Sequence, residues 1–263
     1  MDVLELTEHF TKRPVWAQID LDAAAYNMRH IRQAVGPDTL ITSVVKANAY
    51  GHGAVELAKV FLENGADRLA VACVSEAVEL RRAGITARIV ILGHTDGRRA
   101  RDVVLYGIDA AVFHYQDAVL FSEEAQRQNQ TIHVHIAADT GMGRIGYRPC
   151  EESIAEIKQI AALPNVAIEG LFTHFAVADM DGDESVGYTK SSMKPLPGSA
   201  GVWMKKAFTS TSAIAATAPA RQYIPISAAI WCGPASSSTG TIRPTKWRCR
   251  PLRLGRSCPC GAA

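Results

Sequence analysis

Between residues 40 and 174 the chain repeats one pattern: a short, nearly unbroken apolar run, a turn, and a longer stretch whose apolar positions recur every three to four residues. The apolar runs are Leu40–Lys46, Arg68–Cys73, Arg88–Gly93, Ala110–Phe113, Thr131–Ala138 and Ala167–His174. Runs this short and apolar read as strands buried on both faces. The stretches between them, Gly53–Asn64, Ser75–Ala83, Gly97–Tyr106, Tyr115–Gln128 and Cys150–Ala162, read as amphipathic helices. Leu21–Val35 is a further helix ahead of the first run. Ser75, with Glu79 after it, and Asp117 suit helix N-termini. Strands that alternate with helices predict a parallel sheet covered by helices. Six successive βα units favour a (β/α)8 barrel over a doubly wound sheet, although spacing does not decide between them.

Composition agrees with a folded α/β chain. Of 263 residues 48% are hydrophobic and 21% charged, which excludes a disordered, collagen-like or small disulfide-scaffold protein. No apolar run reaches the roughly 20 residues of a membrane span. The opening MDVLELTEHFTKRPVW lacks a basic region followed by an apolar one, so a cytoplasmic location, with reduced cysteines, is expected.

Charge divides the chain at about residue 190. Residues 1–190 hold 18 Lys/Arg and 26 Asp/Glu, whereas 191–263 hold 10 Lys/Arg and no acidic residue, together with Cys232, Cys249, Cys258 and Cys260. The tail's cations are scattered among Ser, Thr, Ala and Pro without clustering, so neither a nucleic-acid partner nor a membrane partner is expected.

In a parallel barrel chemistry collects at the carboxyl ends of the strands. Lys46 closes the first run, Leu92 and Gly93 the third, Asp139–Gly146 follows the fifth and His174 closes the sixth. A lysine there either extends its amine to solvent or serves as an imine-forming nucleophile. Asn48, Gly51 and Gly53 make a tight turn after it, and Tyr50 and His52 bring polar rings alongside. DTGMGRIG, residues 139–146, is either an ordinary turn or a glycine-rich approach to a ligand. Its Arg144 offers a planar fork for a phenolate or carboxylate. His174 is a structural histidine or one that stacks on an aromatic ring. His133 and His135, two apart, share one face of the fifth strand and read as packing or surface residues rather than metal ligands.

KANAYGHG (46–53), DTGMGRIG (139–146) and EGLFTHFA (169–176), in this order and spacing, resemble the alanine racemase family of pyridoxal 5'-phosphate (PLP) enzymes, from about Arg13 to about Lys190. The resemblance implies an isomerase that interconverts L- and D-alanine and supplies D-alanine to the cell wall. Lys46 would hold PLP as an imine and act as one of two catalytic bases. Tyr50 would contact the phosphate and Leu92 would pack near the ring. Arg144 would bond the ring phenolic oxygen next to the substrate, and His174 would lie against the pyridine. The family works as a homodimer, with a catalytic Tyr reaching across. Many members carry a carbamylated Lys two residues before the Asp of DTGMGR; here Ala137 stands there. A racemase for another amino acid such as serine, and a non-catalytic PLP carrier, are the competing readings.

The resemblance also implies two more barrel strands and a β-rich domain bearing NSA and VRPG segments, none of which residues 191–263 spell. Joining the last base of each codon to the first two of the next changes this. Ala207–Pro219 then admits IHIHIRHCGNSA, and Ile230–Trp247 admits MVRPGIVLYGYYPSDEV. The expectation is therefore a PLP-binding partial barrel over 1–190 and an out-of-frame, disordered tail over 191–263. The offset arises between Lys190 and Ser199, and the chain as it stands is expected to have little racemase activity.

Overall fold

The computed structural model describes residues 15–178, 180 and 183–192, together with three tail strands, Ser212–Ala215, Ala228–Cys232 and Leu254–Arg256. The six expected strands are present as β2 (Thr39–Val44), β3 (Arg68–Val71), β4 (Arg88–Ile91), β5 (Asp109–Val112), β6 (Ile132–Ala138) and β7 (Val166–Thr173). Each pairs in parallel with the next, for example Arg68 with Arg88 and Ile91 with Ala110. The helices between them are α2 (Ala54–Glu63), α3 (Val74–Arg82), α4 (Ala100–Leu105), α5 (Tyr115–Arg127) and α6 (Glu151–Ala161), with α1 (Leu21–Val35) ahead of β2. β1 (Val15–Ala17) pairs with the tail strand β10 (Leu254–Arg256) in a separate two-stranded sheet.

After β7 no further βα unit follows among the described residues; α7 (Asp183–Ser192) is the last helix. The ring is instead completed by two tail strands. β8 (Ser212–Ala215) runs parallel to β7, and β9 (Ala228–Cys232) runs antiparallel to both β8 and β2. The antiparallel member breaks the rule of a (β/α)8 barrel. The incompleteness expected from sequence is thus one of βα units rather than of ring closure. Apart from those strands, the expected disordered tail lies outside the described residues.

The side chains obey a period of two along each strand. Ile89, Ile91, Ala110, Val112, Val134 and Ile136 face the helices in one large core with Leu57, Phe61, Leu80, Phe121 and Ile157. Alternate residues enter the barrel: Ala111, Ala137 and Phe172 cluster with Leu40, Leu92 and Phe113, and Val44 meets Ala70 and Val90. α5 buries Ala118, Phe121, Ser122 and Ala125, a single face at helical spacing. Burial of Phe121 alone contributes roughly 1.5–3 kcal/mol.

α1 has the bounds expected from sequence, and its caps fix them. Asp20 caps it by accepting from Ala23 N at 2.9 Å, and Gly36, at φ 78°, ends it. The start of α3 differs from expectation: Cys73 holds the N-cap position, and Ser75 lies inside the first turn.

A register shift between Val134 and His135 leaves Glu169 of β7 as a bulge residue. The Glu169 carboxylate meets Arg68 at 3.1 Å and Arg88 at 2.9 Å. Arg88 also grips Asp109 with two bonds of 3.0 Å, and Asp109 lies 3.4 Å from His135, which is buried. This charged layer occupies the amino-terminal end of the barrel.

Candidate active site

The opposite end carries a cavity of about 320 Å³, within the roughly 300–1,000 Å³ of small-molecule sites. Its wall includes Lys46, Tyr50, Leu92, Arg144 and His174, so all five side chains singled out from sequence come together. Val44, Ala72, Gly93, His94, Asp139, Met142 and Thr173 complete much of it. Every one of these follows or ends a barrel strand.

Lys46 leaves β2 into a turn of unusual hand. Ala47, Asn48, Ala49 and Tyr50 all have φ between 51° and 55°, a left-handed helical turn spanning Lys46–Gly51. Such backbone costs L-residues roughly 1–2 kcal/mol each, so surrounding bonds must hold it. Ala49 N–H donates to Val45 O at 2.8 Å, and the Asn48 side chain accepts from Ala54 N at 2.8 Å. The residues expected to make the tight turn, Asn48, Gly51 and Gly53, all have positive φ (54°, 87° and 93°), and Ala47, Ala49 and Tyr50 join them. The turn also brings the Tyr50 ring under the amine, with Lys46 Nζ 5.8 Å from the ring centroid.

The Arg144 loop is wound around a carboxylate. Asp139 Oδ1 accepts from the N–H of Gly141 and Gly143, both at 3.0 Å. Burial pushes this carboxyl upward, but the N–H groups of Gly143, Gly141 and Met142 outweigh it and hold it below its ordinary value. Gly146, at φ 119°, approaches the chain so closely that a Cβ would lie 2.7 Å from Asp139 N. Thr140 and Thr173 hydroxyls bond at 2.7 Å, which ties the loop to the end of β7. At the other side, Tyr147 hydroxyl donates to Glu156 at 2.6 Å. Burial and then this carboxylate raise the phenol well above its ordinary range. Arg144 itself is exposed at the loop's crest.

The third wall is apolar and pared to the backbone. Leu92 packs with Val44, Ala70 and Val90, and a Cβ on Gly93 would lie 2.5 Å from Ala72 O. His94 was not singled out from sequence. It lines the cavity, bonds Asp117 at 2.9 Å and packs its ring 5.5 Å from Phe113. The Gly-His step after Leu92 was the available signal. His133 and His135 lie in the charged layer at the far end, and no cluster suited to a metal ion exists among the described residues.

The fold and the cavity define a class: an α/β barrel of mainly parallel strands that gathers an amine, a guanidinium and an imidazole at the carboxyl ends of those strands. Residues 19–197 match the family described as alanine racemase, N-terminal domain. Alanine racemase 1 of Clostridium acetobutylicum is 52% identical over 182 residues, covering 69% of this chain and 46% of that protein. The alanine racemase of Desulforamulus reducens is 46% identical over 183 residues, 70% of this chain and 49% of its own length. Among solved structures, alanine racemase from Bacillus anthracis with bound L-Ala-P superposes with a TM-score of 0.70 at 34% identity. It covers 78% of this chain and 52% of that one. The chain belongs to the alanine racemase family, PLP-dependent isomerases, through its N-terminal domain, and it spans about half the length of the curated relatives it matches.

Proposed function

We propose that this chain is the cofactor-binding barrel of a cytoplasmic alanine racemase, with Lys46 as the residue that holds PLP. The observation that carries the reading is the shared cavity: the Lys46 amine, the Arg144 guanidinium and the His174 imidazole come from three different strand ends and line one space. Their chemistry fits the cofactor. An amine suits its aldehyde, a planar fork suits its phenolic oxygen, a flat ring suits its pyridine face, and the Tyr50 phenol suits its phosphate. Gly93 lets this wall run so close to Ala72 that a Cβ would lie 2.5 Å from its carbonyl oxygen.

Bound there, PLP supplies an electron sink that acidifies the Cα–H of an amino acid. Lys46 takes or returns the Cα proton on its own side of the substrate. Arg144 would donate to the phenolic oxygen of the bound cofactor and favour its anionic form. Leu92, Ala137 and Phe172 exclude water from that side of the cavity. Alanine is the proposed substrate, racemisation for cell-wall D-alanine the activity of the whole enzyme, and a homodimer its working form. Residues 191–263 are read as the product of a shifted frame that displaces the second base and two phosphate-binding segments, so this chain is expected to bind PLP and to racemise little.

The test is an absorbance spectrum of the purified chain with PLP, followed by borohydride reduction and peptide mapping. A visible band and one cofactor fixed on Lys46 are expected, both lost in Lys46→Ala. Fixation on another lysine would overturn the assignment. Strong alanine turnover, or a coding DNA without NSA and VRPG one base away, would overturn the reading of the tail alone.

A further inference from the structure

The left-handed turn after Lys46 needs a hold at its first residue, where the chain leaves β2. Upstream, Val45 N–H donates to Ala70 O at 2.8 Å, which anchors the strand end itself. The next free amide beyond Lys46 is that of Ala47, and its partner comes from a different element. Ala47 N–H donates to Glu76 Oε1 at 2.7 Å. The second oxygen of the same carboxylate accepts from Ala72 N–H, also at 2.7 Å. Ala72 lines the cavity, and its carbonyl is the atom that limits Gly93.

Glu76 is the third residue of α3, in the first turn of that helix. A glutamate at this position turns its carboxylate back over the helix start, where the helix dipole favours negative charge. Here the carboxylate spans from the end of β3 to the peptide that follows Lys46. Ala47 is exposed at φ 51°, a conformation an alanine does not hold unaided.

We infer that Glu76 is a positioning residue for Lys46: its two backbone hydrogen bonds clamp the left-handed turn against β3 and so set the direction in which the amine enters the cavity. The inference rests on Lys46 being the PLP-binding amine, but the clamp itself is testable without cofactor. Glu76→Gln keeps the size and shape of the side chain while turning an N–H group toward one of the two amides, so one bond is lost. Glu76→Asp is too short to reach both.

The experiment compares the full chain with Glu76→Gln, Glu76→Asp and the double variant Glu76→Gln/Ala47→Gly. Two readouts are taken: amide hydrogen exchange at Ala47 and Ala72 without cofactor, and the rate at which borohydride fixes PLP on Lys46. Both single variants are expected to speed exchange at Ala47 or Ala72 by about tenfold and to slow capture on Lys46 by about tenfold or more. Because glycine adopts positive φ freely, Ala47→Gly is expected to restore capture without restoring amide protection. That split distinguishes positioning from general stabilisation. Unchanged exchange in the single variants, or faster exchange with undiminished capture, overturns the inference while leaving Lys46 in its role. Unfolding of both single variants without rescue by Ala47→Gly overturns it in favour of a purely structural Glu76. Absence of capture in the unaltered chain removes the reading of Lys46 and this inference with it, whatever the exchange shows.

Discussion

At the amino-terminal end of the barrel charges answer one another: Arg68 and Arg88 share Glu169, Arg88 holds Asp109 twice, and Asp109 meets His135. At the carboxyl end Lys46 and Arg144 have no carboxylate partner among the described residues; Asp139 is spent on the amides of its loop and Glu76 on those of Ala47 and Ala72, while Asp117 bonds His94. Both ends hold cations on the same scaffold. One end neutralises its arginines within the protein; the other spends Asp139 and Glu76 on shaping backbone and leaves Lys46 and Arg144 without a carboxylate. The difference separates a layer that holds the barrel together from a layer that can bind.

The largest effect expected from breaking this contrast is at the closed end. Asp109→Ala strips Arg88 of its bidentate partner and leaves buried His135 facing an empty site. A loss of about 3–5 kcal/mol in urea unfolding is expected, with PLP capture on Lys46 retained in the folded fraction. A loss of capture without a loss of stability would erase the distinction between the ends. Next comes Gly93→Ala at the open end. Its Cβ would press on backbone rather than on a flexible side chain. It should cost about 1–3 kcal/mol and also weaken PLP uptake, which equilibrium titration would detect.

A smaller effect is expected for Tyr147→Phe, which removes one hydrogen bond from the base of the Arg144 loop while Glu156 keeps the Tyr115 amide at 2.8 Å. About 1 kcal/mol of stability and a modest rise in PLP dissociation constant should follow. The smallest change lies in acid. For Asp109 burial opposes ionisation, but the hydrogen bonds from His135 and Arg88 prevail and leave its folded value below the ordinary one. A depressed carboxylate stabilises the fold above its unfolded pKa, near 4, and that contribution is lost as pH falls through the folded value. Asp109→Asn should therefore flatten the decline of urea midpoint below about pH 4. An unchanged slope would assign the acid limit to other carboxylates, Glu169 first.

The six strands and most helices were legible because their signals are local. Apolar runs bounded by turns marked β2 to β7, and helical spacing marked α1 over Leu21–Val35. Lys46, Arg144 and His174 were legible because each stands at a strand end in a distinctive string. The extension of the turn's left-handed backbone through Ala47, Ala49 and Tyr50 was not, since none of these residues announces positive φ. Nor were Glu76 and the pairing of His94 with Asp117, whose partners lie 29 and 23 residues away along the chain.

Sequence alone determined the βα rhythm, the strand ends whose residues line the cavity and the break in charge near residue 190, because periodicity, turn residues and composition act over neighbouring positions. Only tertiary structure decided which charges cancel and which remain. That choice depends on register, on the bulge that turns Glu169 toward Arg68 and Arg88, and on the curl that brings the ends of β2 and β3 within reach of one carboxylate. Electrostatic and hydrogen-bond energies depend on separations of a few ångströms, which the order of residues along a chain does not specify until the sheet has closed.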